Sequence, residues 1–174
     1  AATGESIVTA QTILRSRIEN MVATTRFDTI APITDMRGAN NIVSFFAPAA
    51  PAQRPSSIAR YRILRTAPGD VVIYSVSDLA DGIDIYAPGQ IGWKPTILVT
   101  GTDAMKIDYF GTAPPDNQPR WHDQWVERKQ PPELIRVQIN FRAGDKRVWP
   151  DLVVRPATTV NSACEIDNFT GRCR

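Results

Sequence analysis

The 174 residues, 43% of them hydrophobic and 22% charged, suffice for one buried core and leave too little for two complete domains. With a formal charge of +2 and lysines and arginines scattered along the chain, the electrostatic footprint of a polyanion binder is missing, so nucleic acid is not an expected partner. No apolar run approaches the roughly 20 residues of a membrane-spanning helix; the best, residues 42–50, is broken by Ser44 and Pro48.

The chain begins at Ala1 without a methionine or a basic-then-apolar leader, so the expectation is that something upstream has been removed. From residue 5 to about residue 26, Ile7, Ala10, Leu14, Ile18, Met21 and Val22 recur at steps dominated by three and four, which predicts the one strong helix, with this stripe against its own sheet. Val8 and Ile13 project to either flank of the stripe. They are either incidental surface aliphatics or contacts for a neighbouring helix, and Ile7, Val8, Ile13, Leu14, Ile18 and Met21 together form the candidate helix interface.

After Ala31-Pro32 the chain reads as about eight short strands separated by proline and glycine signals. Strands are expected at residues 41–47, 59–65 and 71–77, the last two joined by Thr66-Ala67-Pro68-Gly69-Asp70, which has hairpin turn chemistry. Further strands are expected at 83–86, 96–100 and 104–110. A proline-rich stretch, 112–120, leads to Trp121 and Trp125, whose spacing of four suits one face of a helical turn packed over the sheet. Residues 134–142 alternate Ile135, Val137, Ile139 and Phe141 with Arg136, Gln138, Asn140 and Arg142, a strand with one wet face, and 148–154 is expected to close a late hairpin. With no helix between successive strands, parallel crossovers are disfavoured. The expected fold class is α+β, a single domain in which one N-terminal amphipathic helix packs on antiparallel sheet.

Chemistry-bearing residues are sparse. Cys164 and Cys173, with eight residues between them, suit a disulfide that ties down the chain end and stabilises it by roughly 2–3 kcal/mol, and that bond would mean an oxidising compartment. Free thiols are the alternative, since neither a redox pair nor a metal site has the spacing or further ligands it needs. The single histidine, His122, precedes Asp123, but neighbours on an extended segment face opposite ways, so no base and orienter are expected. Asp78, Asp81 and Asp84 surround Gly82 with calcium-loop spacing but without a terminal bidentate glutamate, and a solvated hairpin tip is the simpler reading. Gly38, Gly69, Gly82, Gly89, Gly92 and Gly101 stand singly at turns and build no phosphate loop. Asn168-Phe169-Thr170 reads as a turn inside the cysteine loop. Trp121, Trp125 and Trp149 either serve the core or form a stacking platform for a ligand. No catalytic residue, cofactor or metal site is assigned.

Met105-Lys106-Ile107-Asp108-Tyr109-Phe110-Gly111, then Trp121 and Trp125, Pro132-Glu133-Leu134-Ile135-Arg136-Val137 and Trp149-Pro150-Asp151-Leu152-Val153-Val154, resemble in kind and order the J-type minor pseudopilins of type II secretion systems. The resemblance implies a pilin-like fold in which residues 1–26 are the soluble half of a longer spine helix and 27–174 a β-rich head. It implies a non-enzymatic subunit of the pseudopilus tip that promotes pseudopilus assembly and protein export, with I-type and K-type minor pseudopilins as partners. It also implies a periplasmic domain anchored in the bacterial inner membrane through a membrane helix half that is missing here. A minor pilin of a type IV pilus or competence system, or a secreted ligand-binding β-domain, are the alternatives.

Overall fold

The computed structural model describes residues 2–49, 58–77 and 80–157, with side chains from residue 6 onward. Helix α1 (Ala2–Glu19) leads into β1 (Thr25–Arg26), β2 (Ile33–Thr34), β3 (Arg37–Ala39), β4 (Ile42–Pro48), β5 (Ile58–Arg65), β6 (Val71–Ser77), β7 (Lys94–Val99), β8 (Thr102–Gly111), β9 (Arg120–His122), β10 (Leu134–Phe141) and β11 (Leu152–Val154). β3 to β7 form a five-stranded meander, β11-β10-β8-β9 a four-stranded sheet, and β1 with β2 a small ribbon, every pairing antiparallel.

The expectation of a pilin-like α+β domain built on a long helix is corrected here. Strand makes up 43% of the chain and helix 10%, so the architecture is β-rich, with one 18-residue helix against three sheets. The helix also ends seven residues earlier than its apolar spacing suggests. Asn20 folds its side-chain amide back onto the Ser16 carbonyl (2.8 Å), and the β-branched Val22 donates its amide to Phe46 (2.8 Å), which turns the chain into extended pairing with β4. Met21 remains buried because that extended segment still runs over the core.

The hairpin of β5 and β6 pairs Ala59 with Ser77 through Arg65 with Val71, as its turn chemistry anticipates. Residues 83–86 form no strand, because the Asp84 carboxylate accepts the Tyr86 amide (2.9 Å) and rolls the segment into turns. Only residues 152–154 of the late segment pair with β10. β1, β2, β3 and β9, each two or three residues long, were not anticipated.

One continuous core takes in Ile7, Ala10, Leu14 and Ile18 of α1, Val43, Phe45, Tyr61, Ile63 and Ile73 of the meander, and Ile107, Tyr109, Ile135 and Val137 of the second sheet. Two seams lock the sheets together. Gly38 exchanges both backbone hydrogen bonds with Trp125 (2.9 Å each), and at that approach the Gly38 Cα lies so close to the Tyr109 ring that only glycine fits. Gly38 therefore serves a strand seam and not a turn. At the other end Thr102 donates its amide (2.8 Å) and hydroxyl (2.7 Å) to the Gly69 carbonyl.

Candidate functional site: two faces of one sheet

Alternation along β4 and β5 sends Val43, Phe45, Ala47, Ala59, Tyr61 and Ile63 toward α1, and Ser44, Phe46, Arg60 and Arg62 to the opposite face. Each face supports a different candidate surface.

On the helix side, Ile7, Leu14, Ile18 and Met21 are consumed by the protein's own core, Leu14 and Ile18 with no exposed surface at all. Ile13 is half-buried and packs on that core. Val8 alone of the six interface residues remains open, 65% exposed. Around it the helix is polar: Thr12 bonds back to the Val8 carbonyl (2.8 Å), and Arg15 lies 3.6 Å from Glu19.

On the opposite face two arginines lie beneath the segment 80–93. Arg62 donates to the carbonyls of Gly89 (2.8 Å), Ile85 (2.9 Å) and Ala87 (2.7 Å), and its guanidinium carbon sits 4.3 Å from the Trp93 ring centre. Burial, with the Arg60 charge beside it, pulls the Arg62 guanidinium below its ordinary range. Arg60, 3% exposed, pairs with Asp35, 6% exposed, at 3.0 Å, and lies between the rings of Phe46 and Tyr86. Tyr86 donates its hydroxyl to the other Asp35 oxygen (2.6 Å). Burial first, then that donated hydrogen bond, pushes the Tyr86 phenol up to about 12.

Asp35, Arg60, Arg62 and Tyr86 border a cavity of about 560 Å³ that also touches Arg26, Arg37 and Glu127. None of them was singled out from sequence. The available signal was Arg60-Tyr61-Arg62-Ile63, where the period of two puts both arginines on one face of a strand otherwise apolar enough to be central.

The remaining motifs disperse. Trp121 lies in β9, not on a helical turn, stacked at 5.2 Å on Phe110 with the Arg136 guanidinium over it at 4.2 Å. Trp125 is buried in the seam and donates to the Gln130 carbonyl (2.9 Å), while Trp149 is buried and donates to Val137 (3.0 Å). The three build no common platform. His122 bonds the Gly111 carbonyl (3.0 Å) and leaves Asp123 exposed beside Lys106. Asp81 and Asp84 are exposed, and Asp78, Cys164, Cys173 and Asn168-Phe169-Thr170 lie outside the described residues.

The fold and its surfaces thus define a β-rich domain with a helix clamped on one face of its main sheet and an arginine-lined cavity on the other. No family model and no curated protein matches this chain. Among the described residues, no helix is long and apolar enough to cross a membrane.

Proposed function

We propose that this chain is a minor pseudopilin of a type II secretion system, a structural subunit of the pseudopilus tip that promotes assembly and export and carries out no catalysis. It works on the periplasmic side of the bacterial inner membrane, where N-terminal apolar sequence supplies the anchor, and its partners are the I-type and K-type minor pseudopilins. The ordered motifs from Met105 to Val154 support this reading from the sequence. The observation that carries it is Val8, an exposed aliphatic on a helix whose other apolar side chains, from residue 6 onward, are occupied within the fold. A valine so placed gains by burial against a second helix, at about 25 cal/mol for each Å² removed from water.

The test is co-purification with the I-type and K-type partners. Val8→Glu is expected to abolish the complex while shifting the melting temperature by no more than about 1–2 °C, because surface substitutions of this kind stay within roughly 0.5 kcal/mol. Ile13 is unsuited to the same experiment, since its half-buried packing would add a folding cost. Recovery of Val8→Glu with its partners at wild-type yield would refute the helix interface.

A further inference from the structure

The cavity on the far face of the meander is lined by arginines, and no element among the described residues fills it. Four arginines, Arg26, Arg37, Arg60 and Arg62, line it against two carboxylates, Asp35 and Glu127. Asp35 is already committed to Arg60 and Tyr86. Arg26 pairs with Asp28 at the rim, whereas Arg37 is exposed and in no ion pair among the described residues. Arg62 directs its donors to neutral carbonyls, with the Asp84 carboxylate acting on it only through space.

Two polar atoms on the cavity wall have no partner among the described residues, Ser44 Oγ and Arg60 Nε, although both side chains are more than nine-tenths buried. Buried polar groups are rarely left this way, and a hydroxyl and a guanidinium N–H bordering one space share an acceptor as their natural complement. The ribbon lines the cavity through Arg26, Thr29 and Ile33, and the turn between its strands carries Phe27 and Ile30, 77% and fully exposed respectively, next in sequence to Arg26 and Thr29. A volume of about 560 Å³ falls in the range that holds a few residues of peptide.

We infer that this cavity docks an acidic peptide segment of a protein partner, its carboxylate held among Arg37, Ser44 and Arg60 and an adjacent apolar side chain laid on Phe27 and Ile30. This goes beyond the pseudopilin reading and does not depend on it, because the cavity and α1 occupy opposite faces of the sheet. The carboxylate supplies the acceptor that Ser44 and Arg60 lack, and it adds negative charge to a lining in which arginines outnumber carboxylates.

The experiment is an amide chemical-shift titration of the whole chain with an acetylated, amidated hexapeptide of alternating leucine and aspartate, and with its asparagine counterpart. Saturable shifts at Gly38, Ala39, Ser44 and Ala87 are expected with the acidic peptide, with binding by the asparagine peptide weaker by at least roughly tenfold. Arg37→Glu, whose exposed side chain leaves folding intact, is expected to weaken the acidic peptide by a similar factor at an unchanged melting temperature. Val8→Glu is expected to bind it as the wild type does, which separates this site from the helix interface. Equal binding of the two peptides, shifts confined to other surfaces, no shifts at peptide concentrations of about 5 mM, or an unaffected Arg37→Glu would each overturn the inference.

Discussion

Removing Asp35 strands the most deeply buried cation among the described residues. In Asp35→Leu, Arg60 at 3% exposure loses its only carboxylate partner among the described residues, its Nε already lacks an acceptor there, and the Tyr86 hydroxyl loses the oxygen it donates to at 2.6 Å. Breaking a buried pair from one side costs about 3–5 kcal/mol, and the lost phenol bond about 1 kcal/mol. Taking the lower end for the pair and adding the phenol bond, the expected loss is about 4 kcal/mol. Urea unfolding at pH 7 measures it as a fall in the midpoint at constant slope. The decisive comparison is Asp35→Leu with Arg60→Met, which removes both charges and leaves apolar volume between Phe46 and Tyr86. That double variant is expected to regain most of the loss, to within about 1 kcal/mol of wild type. A double variant no more stable than Asp35→Leu would show that the loss came from packing, and the charge argument would fall.

Tyr86 provides a second readout of the same network. Its folded form holds the proton up to about 12, against an ordinary value of 10.0 for the unfolded chain. Below pH 10 both states keep the proton and the full benefit is present. Between pH 10 and 12 the unfolded state ionises first, so stability declines across that window. Ultraviolet titration of the phenolate is expected to show one tyrosine ionising near 12 that shifts downward in Asp35→Leu, but only partway, because burial is the larger cause.

Two other substitutions probe the second sheet and the seam. Asp108 is 2% exposed and accepts from Arg136 Nε (3.1 Å) and Nη2 (2.8 Å) and from Lys106 Nζ (3.0 Å); burial opposes its charge, but these bonds outweigh that and hold the carboxyl below its ordinary 3.8. Because both cations are partly solvated, Asp108→Asn is expected to cost only about 1–2 kcal/mol at pH 7, and the gap from wild type to close as pH falls below 3.8 in thermal melts; a gap independent of pH would contradict the assignment. Gly38→Ala drives a methyl group into the Tyr109 ring, which is fully buried and bonded to the Ala39 (2.9 Å) and Ile42 (3.2 Å) carbonyls, so a loss of about 3 kcal/mol is expected. Combined with Tyr109→Leu, the alanine is expected to cost far less than it does alone, and strictly additive losses in calorimetry would contradict the close approach.

What the sequence displayed was local. The alternation in residues 134–142, the turn at Thr66-Ala67-Pro68-Gly69-Asp70 and the stripe from Ile7 to Ile18 each state their own geometry within a few residues, and each is seen in the fold. The end of the helix was hidden because Met21 and Val22 continue the apolar spacing, while the deciding partner, Phe46, lies 24 residues beyond Val22. The two- and three-residue strands are too short to carry a readable period, and each is defined only by its pairing: β1 with β2, β3 with β4, β9 with β8 and β11 with β10. The cavity was illegible for the same reason. Asp35, Arg60 and Tyr86 are spread over 51 residues and meet only when the ribbon, the meander and the segment 80–93 are all in place.

The two faces of the meander differ in what they require of the rest of the chain. Toward α1 the buried contacts are apolar and nondirectional, with the Arg17 guanidinium over the Tyr61 ring (5.4 Å) at their edge, so the helix can supply them with any well-shaped side chains. Toward the cavity, two buried guanidinium groups demand acceptors at fixed positions: three carbonyls of the 85–89 turn for Arg62, and one carboxylate for Arg60. The segment 80–93 is therefore placed by the arginines it satisfies, and the cavity beside it inherits a fixed wall instead of an adaptable loop. A fixed wall loses little freedom when a ligand arrives, which favours recognition at that face. Since that wall depends on Arg60, Arg62 and Asp35 and not on α1, the proposed helix interface at Val8 and the proposed peptide site at Arg37 are expected not to compete, so Val8→Glu leaves peptide affinity unchanged.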